Sequence, residues 1–144
     1  MQPPEVLTKR ARAGWPKLLA RAAGAILLLE LVSGLAITLG PFHPATEWGL
    51  LLHTIAGVIT IAPLTWYLAR HWRDYSDQAM SDVLLLGYVG IGALAICLVS
   101  GLLLTWQALL GIRTLSWLRY IHLISTLLTV AATVPHIGIS WWRR

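Results

Sequence analysis

The chain has 144 residues, of which 57% are hydrophobic and 12% charged, and its formal net charge is +5. Soluble globular domains average about 45–50% apolar and about 25% charged residues, so this composition argues against a soluble enzyme and against a disordered chain. The single cysteine, Cys97, excludes an internal disulfide, a four-cysteine metal site and covalent haem attachment through a CxxCH motif. The basic residues stand at the ends of apolar runs, which argues against nucleic-acid binding and indicates a membrane protein.

Four apolar stretches are long enough to cross a membrane as α-helices. About 20 apolar helical residues cross a hydrocarbon core of about 30 Å, and each stretch reaches that length. Strand alternation is not visible in the sequence, and a helix satisfies its own backbone hydrogen bonds in lipid. We therefore predict a single domain, 1–144, with a basic tail over residues 1–16 and spans at about 18–40, 48–69, 83–106 and 115–140.

Short connections separate the predicted spans. Residues 41–47 and 107–114 join the first two and the last two spans, and residues 70–82 form the only sizeable polar loop. Because short connections make sequential neighbours antiparallel, we predict an all-α, up-down-up-down four-helix bundle in the membrane. Pro63 should kink the second helix without ending it, and Ser81 should cap the third.

The distribution of Lys and Arg predicts the orientation of the spans, since cytoplasmic flanks are enriched in these residues. Only Arg113 and Arg119 flank the spans on one side. The other side has nine basic residues: Lys9, Arg10, Arg12, Lys17, Arg21, Arg70, Arg73, Arg143 and Arg144. We expect both termini on the cytoplasmic side, and we expect the membrane to be a bacterial cytoplasmic membrane.

An internal repeat divides the chain into two similar halves. The segment LVSGL occurs at positions 31–35 and again at positions 98–102. A tryptophan and, five positions later, a histidine come after each copy: Trp48 and His53 after the first, Trp117 and His122 after the second. This second match has an offset two positions larger than that of LVSGL, so the second half carries a short insertion between the matched blocks. The repeat predicts two similar helical hairpins packed side by side.

Four of the five histidines fall on the second and fourth spans, which the topology makes parallel. His122 and His136 are 14 residues apart, which returns them to within about 40° of one face at a separation of about 21 Å. His53 and His71 are 18 residues apart, or about 27 Å along one face. The sequence thus predicts an outer pair, His53 and His122, and an inner pair, His71 and His136.

Ionisable residues inside a membrane are costly, and imidazole is a common axial ligand of haem iron. A haem between two parallel helices needs one imidazole from each helix and small residues beside the porphyrin. Gly87 and Gly101 of the third span have the same spacing as His122 and His136, and Gly34 of the first span is the repeat partner of Gly101. Hydrogen-bonded packing is the alternative for a single histidine, and close helix packing is the alternative for the glycines.

The inner pair departs from the repeat. The offset between His53 and His122 pairs His136 with Tyr67, whereas His71 lies one helical turn further along the second span. The excess of about 6 Å has to be absorbed by tilt, by the kink at Pro63 or by an asymmetric haem. His71 also has interfacial neighbours, Arg70 and Trp72, among which a solvated histidine would be ordinary.

These spacings, which extend over all four spans, resemble those of the four-helix di-haem cytochromes b. That group includes the cytochrome b core of quinol:cytochrome c oxidoreductases and the small cytochrome b subunits of bacterial quinone-linked dehydrogenases. The resemblance implies two non-covalent haems b with bis-histidine ligation, His53 with His122 and His71 with His136, which conduct electrons across the bilayer. The interval between His122 and His136 is the one usual in that family, and the interval between His53 and His71 departs from it by being longer.

Several further residues have two interpretations each. Arg119, one turn before His122, is a candidate partner for a haem propionate, although orientation signalling and interfacial snorkelling also explain such residues. The other candidates of this kind are Arg113, Arg70, Arg73, Lys17 and Arg21. Glu30 is either a proton-relay or quinone-site group or a neutral, hydrogen-bonded acid inside the bundle. We interpret His43 as a solvated residue or a quinone or partner contact, and Cys97 as a small core residue.

The sequence therefore predicts a membrane electron-transfer subunit of a larger oxidoreductase complex rather than a self-contained enzyme. Electrons would pass between the quinone pool and a redox partner on the outer face, such as a c-type cytochrome. The alternative is a haem-free membrane anchor or small transporter subunit, in which the histidines and Glu30 serve packing or proton handling.

Overall fold

The computed structural model describes residues 17–77 and 79–142, and in this part of the chain every regular element is an α-helix. The helices are α1 (Lys17–Leu39), α2 (Pro44–Tyr75), α3 (Asp82–Leu109) and α4 (Ser116–Trp142). All four are long and apolar enough to cross a membrane, which fits an integral membrane protein with four spans. The all-α prediction is confirmed, and the element order is consistent with a four-helix bundle. The predicted basic tail, residues 1–16, lies outside the described residues, as do Arg143 and Arg144.

Helix α2 is longer at both ends than the predicted span. It begins at Pro44 and continues to Tyr75, so residues 70–75, which the sequence assigns to a polar loop, are helical. Hydropathy marks where a helix meets polar surroundings, whereas the helix itself ends where its backbone hydrogen bonds end. The last of these joins the Ser76 N–H to the Trp72 carbonyl at 2.8 Å. As predicted, Pro63 does not end the helix.

Side chains cap the amino-terminal ends of α2 and α3. His43 has extended backbone angles, and its Nδ1 accepts the Ala45 N–H at 3.1 Å, just before Pro44 at the first helical position. Ser81 has the same role for α3, because its Oγ accepts the Leu84 N–H at 3.3 Å. The predicted cap at Ser81 is confirmed, and the exposed His43 is a capping residue.

A Schellman motif ends α3. Gly111 has a positive φ of 65°, in the left-handed region that favours glycine. Its N–H donates to the Ala108 carbonyl at 3.2 Å, and the next N–H, of Ile112, donates to the Gln107 carbonyl at 2.9 Å. This turn opens the connection between α3 and α4, which runs over positions 110–115.

The chain divides into two compact units, and the prediction of a single domain stays a prediction. The first unit contains α1 and α2 apart from residues 54–58, and the second contains α3 and α4 together with Thr54–Val58. In the first unit the start of α1 shares a small apolar cavity with the middle of α2, lined by Leu19, Ala22, Ala23, Ile26, Pro63 and Leu64. The end of α1 contacts the early part of α2 instead, at Ser33 and His53. These two helices therefore form an antiparallel hairpin.

The second unit is also an antiparallel hairpin, and its two helices run closely side by side. Gly90 permits this approach, because a Cβ there would lie 3.2 Å from Thr133 Oγ1 and 3.6 Å from Ala132 Cβ. Small residues let membrane helices pack backbone to backbone. Most of the buried residues of the described chain belong to these two helices: Gly90, Ala93, Leu94, Ser100, Leu118, Ser125, Thr129 and Ala132.

Candidate functional site

His53 lies against α1 inside the first hairpin. Its Nδ1 is 2.9 Å from Ser33 Oγ and 3.0 Å from Glu30 Oε2, and the side chains of His53 and Glu30 are 20% and 19% exposed. The ring also covers Gly34, since a Cβ there would be 3.2 Å from His53 Cε1. Any larger residue at position 34 would push the imidazole away from α1.

The neighbours of His53 Nδ1 determine which ring nitrogen bears the proton. Ser33 Oγ donates its own hydrogen to the Leu29 carbonyl at 2.7 Å, so towards His53 it acts as an acceptor. The Glu30 carboxylate is likewise an acceptor. Nδ1 therefore carries the proton, and in a neutral imidazole Nε2 then carries the lone pair that can bind a metal.

His122 has the same arrangement in the second hairpin. Its Nδ1 donates to the Cys97 carbonyl at 3.0 Å and lies 3.2 Å from Ser100 Oγ. Ser100 Oγ donates to that same carbonyl at 3.0 Å, and a Cβ at Gly101 would be 3.0 Å from His122 Cε1. Because a carbonyl can only accept, Nδ1 bears a proton here too, and in a neutral imidazole Nε2 then carries the lone pair.

The two sites are built from equivalent residues of the repeat. Each copy of LVSGL supplies the serine beside Nδ1 and the glycine under the ring. Thr38 and Thr105, one helical turn after each glycine, donate to the glycine carbonyls at 2.8 and 2.9 Å. The two-residue insertion in the second half lies in the connection between its helices, since the connection at 110–115 is two residues longer than the one at 40–43. The repeat is thus a structural repeat of one contact between a serine, a glycine and a histidine.

One position of the repeat differs in chemistry. Glu30 and Cys97 each precede LVSGL, so the carboxylate beside His53 has a thiol as its counterpart beside His122. Cys97 Sγ is 3.7 Å from His122 Nδ1 and 3.2 Å from Thr126 Oγ1. Since Thr126 Oγ1 donates to the His122 carbonyl at 2.8 Å, the thiol hydrogen points to Thr126. Cys97 is half-buried, as a small core residue would be, and it also borders a histidine.

His136 repeats part of this arrangement at the other end of the second hairpin. Its Nδ1 donates to the Val83 carbonyl at 2.7 Å, which again assigns the lone pair to Nε2. A Cβ at Gly87 would be 3.0 Å from His136 Cε1. Gly87 and Gly101, expected to make room beside a porphyrin, therefore lie directly under the imidazoles of the helix they pack against, as does Gly34 under His53.

His71 has different surroundings. Its ring stacks on Tyr67 with centroids 6.1 Å apart and an interplanar angle of 7°, and it lies 4.8 Å from the ring of Tyr75. These three residues are spaced by four along α2 and form an aromatic strip on one face. His71 is therefore held by the rings of its own helix, and Tyr67 stands at the repeat position that corresponds to His136.

Two predicted propionate partners lie at the surface of the described structure. Arg119 is exposed in the first turn of α4, one turn before His122, and Arg113 is exposed in the preceding connection. No group of three or more His, Cys, Asp or Glu residues that could hold a metal ion occurs within 17–77 and 79–142.

The histidine geometry fits haem ligation. An axial ligand to haem needs a neutral imidazole with a lone pair on one nitrogen and a hydrogen-bond acceptor that holds the other. His53, His122 and His136 each have such an acceptor at Nδ1, and glycines let the Cε1 edge of their rings approach the neighbouring helix closely. Reasoning from the sequence found these histidines and glycines but missed the partners of Nδ1. The offset between the two LVSGL copies already pairs Ser33 with Ser100 and Glu30 with Cys97, and this was the signal in the sequence that could have identified them.

No protein-family model matches this chain, and neither a curated protein nor a solved structure matches it.

Proposed function

We propose that this protein is a di-haem, b-type electron-transfer subunit of a membrane oxidoreductase. One haem would be ligated by His53 and His122 and the other by His71 and His136, as the depth of these residues along α2 and α4 suggests. Bound haem b would supply one-electron redox chemistry. The absence of a CxxCH motif means that the chain can hold it only by iron ligation and packing.

The repeated contact between a serine, a glycine and a histidine is the observation that carries this proposal. The same residue types in equivalent positions lie beside His53 and His122. In both sites Nδ1 faces hydrogen-bond acceptors, so the same ring nitrogen bears the proton. Packing alone requires neither a matched tautomer nor a glycine under each imidazole. A metal ligand requires both a fixed tautomer and a fixed ring plane. The matched geometry therefore favours ligands over structural histidines.

The position of the histidines along their helices supports transfer across the bilayer. His53 lies early in α2 and His122 early in α4, whereas His71 and His136 lie in the last turns of the same helices. A chain with ligands at two depths would hold two redox centres, one near each leaflet. The protein's own part is to hold them at a fixed depth and to exclude water, since electron tunnelling needs no catalytic side chain.

The partners and the location are part of the same proposal. The described chain is almost entirely helix of spanning length, so a larger complex would have to supply the donor and acceptor. We propose a c-type cytochrome or another redox subunit on the outer face, and a quinone in the lipid phase. The excess of Lys and Arg at the ends of the chain and at the end of α2 would place both termini in the cytoplasm of a bacterium.

A pyridine haemochrome assay on the purified full-length protein tests the proposal. We expect two haems b per chain and a reduced-minus-oxidised spectrum of the b type. His122→Ala and His53→Ala should each lower the count to one haem per chain, because each removes one of the two ligands to the same iron.

His43→Asn is the matched control, because it changes an exposed histidine and keeps a side chain that can cap α2. It should keep two haems per chain. Wild-type protein without haem would overturn the proposal and favour a haem-free anchor or transporter subunit. Unchanged haem content in both His53→Ala and His122→Ala would overturn the ligand assignment.

A further inference from the structure

We propose that Glu30 tunes the redox potential of the haem ligated by His53, and that it makes the two axial ligands of that haem chemically unequal. Glu30 is here a positioning residue that acts on the iron through the imidazole. The inference rests on the proposed ligation by His53 and goes beyond it, since it assigns a role to a residue that the ligand set does not include.

The contact in the first hairpin carries the inference. Glu30 Oε2 is 3.0 Å from His53 Nδ1, so the carboxyl oxygen accepts the Nδ1 proton on the side of the ring opposite Nε2. Hydrogen bonds to a charged acceptor are about twice as strong as those to a neutral one. A carboxylate on the outer nitrogen of a ligating histidine raises the basicity of the ligating nitrogen and tunes the metal. A more basic imidazole stabilises the oxidised iron and lowers its potential.

The second hairpin provides the comparison within the same molecule. The corresponding position is Cys97, whose carbonyl, a neutral acceptor, receives the Nδ1 proton of His122 at 3.0 Å. The Cys97 thiol hydrogen points to Thr126, and the shortest contact of His122 Nδ1 is the one to the backbone carbonyl. A carboxylate therefore supports one ligand and a backbone carbonyl supports the other, within otherwise matched sites.

Local contacts also argue against a purely structural role for Glu30. Ser33 Oγ already accepts from His53 Nδ1 at 2.9 Å, as Ser100 Oγ lies beside His122 Nδ1 at 3.2 Å. In the second hairpin a backbone carbonyl and a serine orient the histidine, so a carbonyl and a hydroxyl are sufficient for the orientation of the ring. What Glu30 adds to the first site is a carboxyl acceptor, which in its ionised form brings a negative charge that the Cys97 carbonyl lacks.

A potentiometric titration of the full-length haem protein, followed by haem absorption, tests this role. Glu30→Gln keeps the size of the side chain and a carbonyl acceptor, and Glu30→Cys inserts the residue of the other hairpin. Both should retain two haems and raise the midpoint potential of one haem by about 59 mV, which is a tenfold change in the equilibrium constant of a one-electron couple. The midpoint of the other haem is the internal reference and should not move.

Cys97→Glu is the converse variant, because it places a carboxyl group at the equivalent position beside His122. It should lower the midpoint of the same haem that Glu30→Gln raises, and Cys97→Ser should leave both midpoints unchanged. Unchanged midpoints in Glu30→Gln and Glu30→Cys, or equal shifts of both haems, would overturn the inference. If the Glu30 variants lose haem, the Cys97→Glu variant tests the inference instead. A lower midpoint potential supports the inference, and an unchanged or higher one overturns it. Absence of haem from the wild-type protein would instead overturn the proposed function.

Discussion

The two hairpins orient their outer histidines in the same way but pack their helices differently. In both, a serine lies beside Nδ1 and a glycine lies under the ring. In the second hairpin the described helices run close together over a long interface. On α3 three glycines, Gly87, Gly90 and Gly101, meet residues of α4, whereas on α1 Gly34 meets α2 and Gly24 meets no described atom within 4 Å. The repeated element is therefore the histidine contact, and the packing around it can vary.

The ends of the hairpins at His71 and His136 differ further. His136 donates to the Val83 carbonyl and covers Gly87, whereas the repeat places Tyr67 and Ala20 at the corresponding positions of the first hairpin. His71 lies one turn beyond Tyr67 and stacks on it. An alanine in place of a glycine leaves less room for a ring against α1. The first hairpin therefore holds His71 by aromatic rings of its own helix, whereas the second holds His136 by a contact with the neighbouring helix.

Filling the space under the outer histidines should have the largest effect. In Gly101→Leu and Gly34→Leu the new side chain would occupy the position of the imidazole, since even a Cβ comes within 3.0 and 3.2 Å of it. Each variant should lose one of two haems per chain in a pyridine haemochrome assay. Gly24→Leu is the matched control on α1 and should keep two. Equal haem loss in all three variants would contradict the shared contact.

Gly90→Leu should have the next largest effect and should separate packing from ligation. A Cβ at Gly90 would meet Thr133 Oγ1 at 3.2 Å, and overpacking a close interface costs about 1–3 kcal/mol. We expect that loss in the free energy of unfolding, measured by denaturant titration in detergent. Gly24→Leu should not show it, because no described atom outside its own helix lies near that position. A stable Gly90→Leu protein would contradict the packing difference between the hairpins.

The smallest effects should come from the serines. Ser33→Ala and Ser100→Ala each remove one polar neighbour of Nδ1 and leave another, Glu30 Oε2 or the Cys97 carbonyl. A hydrogen bond of this kind contributes about 0.5–1.5 kcal/mol, so each variant should release haem a few-fold more readily on heating. Thr105→Ala, which leaves both neighbours of His122 Nδ1 in place, is the control. A complete loss of haem in only one serine variant would show that the two contacts are not equivalent.

Most of the fold could be predicted from the sequence, because helices of spanning length and helix caps are recognised from short stretches of neighbouring residues. Apolar runs of spanning length identify all four helices, and Ser81 marks a helix start through a side chain that caps its own backbone. The extent of α2 escaped prediction, because a helix can continue through polar residues such as those at 70–75 when backbone hydrogen bonds continue. The capping role of His43 escaped it too, since a loop histidine and a capping histidine look alike until the backbone angles are known.

By itself, the sequence determined the all-helical class, the four helices of spanning length, the internal repeat, and the histidines and glycines of the candidate site. These follow from composition, spacing and self-similarity, which need no knowledge of neighbouring helices. Only the tertiary structure decided that the glycines lie under the imidazoles, that Glu30 contacts His53 and that Tyr67 stacks on His71. The first two depend on how one helix is rotated about its axis against another, and the third on which rotamers the side chains adopt. A residue spacing fixes neither to the ångström that a hydrogen bond requires.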